Sequence, residues 1–190
     1  MRIKICGITK PEDARFAEKA GTDAIGVVVF SPQSARSVTP EQARKIFDAV
    51  GPFTTRVAVS HTKSNDDLEQ ILAMHPDAIQ LSHRFEFPKK RGPKLIRVIG
   101  RNDPLPSDCD AIIVDESHGS GREFDRSHAR DTVQRAKLPV ILAGGLTPEN
   151  VADAIRQVHP YAVDVSSGIE TEPGIKDHKK IASFIAAAQR

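Results

Sequence analysis

Eight short apolar runs rich in β-branched residues recur along this chain, and most are followed by a stretch with helical spacing. The runs are 3–8, 24–30, 56–60, 78–81, 94–99, 111–115, 140–142 and 162–166; the helical stretches are 11–19, 40–50, 65–74, 126–135, 148–158 and 177–188. Strands that alternate with helices are joined by crossovers, so they lie parallel and are covered on both faces. Ala24-Ile25-Gly26-Val27-Val28-Val29 fits that setting, being apolar on both faces. Eight such units predict an α/β fold, a closed (β/α)8 barrel, with an open doubly wound sheet as the alternative. The segments 82–93 and 100–109 hold Pro, Gly and charge instead of a helical pattern, so helices after strands four and five are expected to be short or missing. That economy suits 190 residues in a fold that usually takes about 250, and one domain spanning 1–190 is expected. Thr9, Thr39, Ser64, Asp125, Thr147 and Lys176 lie just before the helical stretches, and several are good N-cap types. Pro11, Pro40 and Pro148 stand where a first-turn proline costs nothing.

Composition narrows the function classes. Lys plus Arg is 27 and Asp plus Glu is 25, a formal charge of +2, which gives nucleic acid no strong electrostatic footprint. The longest apolar stretch, 24–30, is far short of the roughly 20 residues of a membrane span. The first residues, Met1-Arg2-Ile3-Lys4-Ile5, have no long apolar segment, so no signal peptide is expected. Cys6 and Cys109 are too few for a disulfide scaffold and are expected as thiols in the cytoplasm. The seven His residues show no His-x3-His spacing, nor is there a Cys-x2-Cys pair, and no metal is expected.

Barrel chemistry sits at the C-terminal ends of the strands and in the loops that follow. Lys4 and Cys6 share one face of the first strand, and if Ile3 and Ile5 pack outward they point into the barrel. Cys6 is then either a small buried hydrophobe or a group at the active end. Lys4, one layer deeper, needs a partner, and Asp164 on the closing strand is the candidate. Arg36, in the long loop after strand two, is a solvated side chain or a clamp for a carboxylate or phosphate. Gly119 and Gly121 allow a mobile lid after strand six. Asp125 follows them as an N-cap or as a pocket-facing acid, roles compatible only if the cap does not claim its side chain. Ala143-Gly144-Gly145-Leu146 and Ser166-Ser167-Gly168-Ile169 end strands seven and eight, where barrels of this kind often hold phosphate. Two ordinary glycine turns are the alternative.

Together these motifs resemble the phosphoribosylanthranilate isomerase family of tryptophan biosynthesis. The resemblance rests on Lys4-Ile5-Cys6-Gly7-Ile8-Thr9, Arg36 in a Pro-x-Ser-x-Arg loop, Gly119-Ser120-Gly121-Arg122-Glu123-Phe124-Asp125, Ala143 to Val151, Val163 to Glu170, and Gly174-Ile175-Lys176-Asp177. It implies a cofactor-free barrel that performs an Amadori rearrangement of a phosphorylated small molecule as a monomer or homodimer. It makes Cys6 the general base and Asp125 the general acid. It puts Arg36 on the anthranilate carboxylate and the phosphate on Gly144, Gly145, Ser166, Ser167 and Gly168. Asp164 stays between a structural partner and a substrate contact. An acid that protonates the ring oxygen must carry a proton near neutral pH, so Asp125 is expected to be raised by burial, with Phe124 as an apolar wall. Two places depart from the family pattern. Ser60-His61 stands where many members have Val-Asn after strand three, and Ser82-His83 where many have His-Gly after strand four. A one-residue shift reverses side-chain direction, so His83 does not inherit the usual role. The alternatives are another phosphosugar isomerase barrel and a non-catalytic phosphate-binding barrel.

Overall fold

A computed structural model describes residues 1–85, 92–101, 103–115 and 125–190. In chain order they form β1 (Arg2–Cys6), α1 (Pro11–Ala20), β2 (Ala24–Val29), β3 (Ser37–Val38), α2 (Pro40–Phe47), β4 (Thr55–Ser60), α3 (Asn65–Leu72), β5 (Ala78–Leu81), β6 (Lys94–Ile99), β7 (Ala111–Val114), α4 (Arg126–Arg135), β8 (Val140–Leu142), α5 (Val151–Val158), β9 (Ala162–Val165), a 3-10 turn (Ser167–Ile169), β10 (Glu170–Glu172), β11 (Ile175–Lys176) and α6 (His178–Ala188). The parallel order β1-β9-β8-β7-β6-β5-β4-β2 closes through β1–β2 pairing, giving the expected eight-stranded barrel rather than an open sheet. Short β3 pairs with β2 inside the long loop, and β10–β11 is an antiparallel hairpin after the last barrel strand.

Strand alternation builds two shells. Ile3, Ile5, Ile25, Val27, Ile79, Leu81 and Val163 face the helices in one large buried cluster that also holds Phe47 of α2 and Phe184 of α6. Cys6, Val28, Val57, Val59, Ala78, Ile96, Ile113 and Ile141 form the inner shell. Each large aliphatic side chain so buried contributes about 1.5–3 kcal/mol. Lys4 lies opposite Asp164 in the β1–β9 register, and the two side chains meet inside the barrel at 2.9 Å.

Among the described residues no helix lies between β5 and β7, as the Pro, Gly and charge there predict. Arg97 bridges the described residues of these segments. It shares the outward parity of Leu95 and Ile99 yet is buried, donating to the His83 and Phe85 carbonyls and to Asp108. One guanidinium thus ties together the segments after β5 and β6.

Capping differs from expectation in three places. Thr39, Ser64 and Asp125 cap their helices through their side chains, but Lys10 rather than Thr9 holds the α1 cap position. Thr9 instead donates to the Gly174 carbonyl, pinning the β10–β11 turn over the end of β1. Asp177, not Lys176, caps α6. α5 begins at Val151 rather than at Pro148, because the Asn150 side chain accepts from the Thr147 N–H and donates to the Gly145 carbonyl. That local ring removes 147–150 from the helix and fixes the loop after β8.

Candidate active site

A cleft crosses the C-terminal ends of the barrel strands. One lobe is lined by Cys6, Val28, Arg36, Val59, His61, Gln80 and Val98. The other is lined by Gly144, Gly145, Leu146 and Ser167, and the lobes share Asp115, Asp164 and Ser166. The apolar walls and the Gly/Ser-rich end therefore adjoin at these three residues. A larger cavity, about 610 Å³, opens at the opposite end of the barrel, where the strands begin. It is remote from every loop that carries a motif, and barrels of this type place their chemistry at the other face.

Cys6 ends β1 pointing inward, almost fully buried. Gly26 on neighbouring β2 leaves the space it needs, since a Cβ there would lie 2.9 Å from Sγ and 3.1 Å from Lys4 Nζ. Burial pushes the Cys6 thiol up; Lys4 and Lys176 pull against this, and Asp164 adds to it. The thiol is accordingly the resting form. Burial also works against the Lys4 ammonium, but Asp164 at 2.9 Å and the adjacent Cys6 outweigh it and hold Lys4 above the ordinary lysine range.

Arg36 reaches the cleft from the loop after β2, but it is not a free clamp. Its Nε and Nη2 donate to both oxygens of Glu170, at 2.7–3.2 Å. The second oxygen-bound cation is Lys176, whose fully buried Nζ donates to Glu170 Oε1 at 2.7 Å and to the Ser166 carbonyl at 3.1 Å. Burial opposes the charged form of Glu170, yet Arg36 and Lys176 together hold it below the ordinary carboxylate range. Neither Glu170 nor Lys176 is picked as a site residue by sequence reasoning, although both lie in motifs that carry the family resemblance. Their signal was present as Ser-Ser-Gly-Ile-Glu and Gly-Ile-Lys-Asp, two pieces that the β10–β11 hairpin folds together.

The glycine loops after β8 and β9 adopt conformations that depend on glycine. Gly144 and Gly145 have φ of 92° and 62°, a region glycine enters without cost. Gly168 sits in the 3-10 turn against the loop after β8, and a Cβ there would fall 2.0 Å from the Leu146 carbonyl oxygen. Only glycine lets these two loops close on one another.

Asp125 departs most from expectation. Its Oδ1 accepts from the Ser127 and His128 N–H groups at the start of α4, and Oδ2 pairs with Arg101 at 2.9 Å. The cap does claim the side chain. The His128 and Ser127 N–H groups, helped by Arg101, hold this carboxyl below the ordinary carboxylate range, the reverse of the expected rise. It stands outside the cleft lining shared by Cys6 and Asp164. The expected lid at Gly119 and Gly121 and the wall at Phe124 lie outside the described residues.

At the two departures from the family pattern, His61 and not His83 lines the cleft. His61 Nδ1 is 2.6 Å from Ser82 Oγ across the β4–β5 ends, whereas the His83 ring packs edge-on to Phe85. Among the described residues no group of three His, Cys, Asp or Glu converges as metal ligands would, and no helix is long and apolar enough to cross a membrane.

The family model described as N-(5'phosphoribosyl)anthranilate (PRA) isomerase matches residues 3–187. The N-(5'-phosphoribosyl)anthranilate isomerase of Methanoregula boonei is 64% identical over 189 residues, covering 100% of this chain and 97% of that relative. That of Methanopyrus kandleri is 41% identical, with 100% of this chain and 99% of the relative covered. The crystal structure of the Thermus thermophilus phosphoribosyl anthranilate isomerase superposes with a TM-score of 0.86 at 34% identity, covering 100% of this chain and 98% of the other. A phosphoribosyl anthranilate isomerase solved in complex with reduced 1-(o-carboxyphenylamino)-1-deoxyribulose 5-phosphate superposes with a TM-score of 0.80 at 36% identity, covering 100% and 98%.

Proposed function

The chain belongs to the N-(5'-phosphoribosyl)anthranilate isomerase family, and on that premise we propose that Cys6 is its general base and Asp125 its general acid. It is an isomerase of tryptophan biosynthesis, converting N-(5-phosphoribosyl)anthranilate to 1-(2-carboxyphenylamino)-1-deoxyribulose 5-phosphate by an Amadori rearrangement. The observation that carries the base assignment is the position of Cys6 in the apolar lobe, beside the Lys4–Asp164 pair whose Asp164 also lines the glycine-rich lobe.

The reaction divides between the two groups. Asp125 gives a proton to the furanose ring oxygen as the C1–O bond breaks, and the nitrogen lone pair forms a protonated imine. Cys6 thiolate then removes the proton on C2, and those electrons neutralise the imine to give an enolamine. Return of a proton to C1 and loss of the enol proton yield the ketose. Each acid or base term of this kind contributes about 10²–10⁴-fold. The phosphate is held by Gly144, Gly145, Ser166, Ser167 and Gly168, which fixes the sugar in register. Arg36 meets the anthranilate carboxylate through Nη1, the edge left outside its Glu170 pair. Asp164 keeps Lys4 charged beneath the thiol. Residues 1–190 act as one domain in the cytoplasm, where the free thiols of Cys6 and Cys109 are stable.

The resting protonation states are reversed from those the chemistry uses. Cys6 rests as thiol and Asp125 as carboxylate. The productive form has the same number of protons, with one moved from Cys6 to Asp125. Below both pKa values there is no base, and above both there is no acid. Hence kcat/KM is expected to be flat across the neutral range, with an acid limb below ordinary carboxylate values and an alkaline limb above ordinary thiol values. A pH profile of kcat/KM checks this, and a narrow bell with both limbs between pH about 6 and 8 would overturn the assignment.

A further inference from the structure

One buried side chain of the cleft has no task in these steps. Gln80 is 5% exposed and shares the inward face of β5 with Ala78, while Ile79 and Leu81 face the helices. Its partners in register are Val59 on β4 and Ile96 on β6, so neither neighbouring strand offers it a donor. Its Oε1 is fully buried and has no hydrogen-bond partner among the described residues. A buried amide oxygen without a donor is costly, and a leucine at this position would avoid that cost. The cleft supplies the reason for keeping it: Gln80 lines the lobe whose walls are Val28, Val59 and Val98, together with Cys6 and Arg36. An aryl ring suits those valines, and the nitrogen attached to it is the one polar group such a ring brings beside the carbon that Cys6 deprotonates.

We propose that Gln80 Oε1 accepts a hydrogen bond from the anilino N–H of the substrate and keeps it through to product, so that Gln80 is a positioning and specificity residue for the isomerase reaction assigned above. The N–H is present in every species along the path. It is the substituted amine of the glycoside, the N–H of the protonated imine, and the amine of the enolamine and ketose. It is the strongest donor in the protonated imine, so the contact tightens as the barrier is approached. An amide oxygen is too weak a base to take that proton. It therefore preserves the positive charge that makes the C2 proton acidic, which a carboxylate at position 80 would discharge. Arg36 assists by engaging the ortho carboxylate, which otherwise accepts the same N–H internally.

The test compares two ligands on two proteins by calorimetry. The ligands are the reduced product analogue, which has the N–H, and its ether counterpart with oxygen in place of the N–H. Wild type is expected to bind the amine about tenfold or more tightly than the ether, and Gln80→Leu to bind both alike within about twofold. Gln80→Leu is expected to lower kcat by more than it raises KM and to unfold at a temperature no lower than wild type. Gln80→Met, close in shape, serves as the second variant and is expected to behave in the same way. Equal binding of the two analogues by wild type, or undiminished discrimination by Gln80→Leu and Gln80→Met, would overturn the proposal. Failure of wild type to bind either analogue would instead overturn the isomerase reading on which it rests.

Discussion

Cys6→Ala is expected to lower kcat by about 10²–10⁴-fold while leaving affinity for the reduced product analogue within a few-fold of wild type. The thiolate is the only role Cys6 plays that alanine cannot. The Lys4–Asp164 pair remains intact beneath it, so no buried charge is orphaned. The glycine loops proposed to hold phosphate follow β8 and β9 and do not depend on the sulfur. Cys6→Ser is expected to be nearly as inactive, because a hydroxyl at that buried place has no accessible ionised form. Turnover of Cys6→Ala near the wild-type rate, followed at saturating substrate, would remove Cys6 from the chemistry.

Glu170→Ala has the largest expected effect on stability, about 3–5 kcal/mol, because it strands two cations at once. Lys176 is fully buried and Arg36 largely so, and Glu170 is the carboxylate that both contact. For a chain of this size that loss lowers Tm by about 6–20 °C. The sign of the pH dependence follows from the depressed pKa of Glu170 in the folded protein. Its contribution is present above the unfolded carboxylate pKa and is lost as pH falls through the folded value. The gap in unfolding free energy between wild type and Glu170→Ala should therefore be full at neutral pH and close in acid. Denaturant unfolding at both ends of that range checks it; a variant as stable as wild type at neutral pH would mean that the Arg36–Glu170–Lys176 network carries no net stabilisation. The substitution should also raise KM, since Arg36 loses the partner that aims it.

Much of this was legible in the chain because it depends on local pattern. Period-two alternation told which side chains of β1 point inward, and closure of eight strands brought Lys4 to Asp164 across 160 positions. Proline, glycine and charge in 82–93 and 100–109 set the expectation of short or missing helices, and the described residues of those segments form none. The rest turned on contacts that no spacing announces. Glu170 meets Arg36 across 134 positions only because Gly174 turns the β10–β11 hairpin back over the end of β1. Asn150 takes the start of α5 away from Pro148 through two side-chain bonds to a loop, which outcompete the proline's preference for the first turn. At Asp125, cap and acid use the same two oxygens, and a sequence cannot say which claim prevails in the resting protein. Gln80 lies in the fourth apolar run, 78–81, but that its amide oxygen has no partner among the described residues is visible only once Val59 and Ile96 flank it.

The acid assignment is the most exposed part of the mechanism, and Asp125→Asn tests it cleanly. Asparagine is as good an N-cap as aspartate, so the start of α4 is preserved while the transferable proton is removed. The decisive measurement follows the loss of phosphoribosylanthranilate fluorescence with wild type and with Asp125→Asn, no metal added. Wild type is expected to consume the substrate, and Asp125→Asn to be slower by about 10²–10⁴-fold while still binding the reduced product analogue. Consumption by Asp125→Asn at the wild-type rate would contradict the acid assignment, and no consumption by wild type would contradict the activity itself.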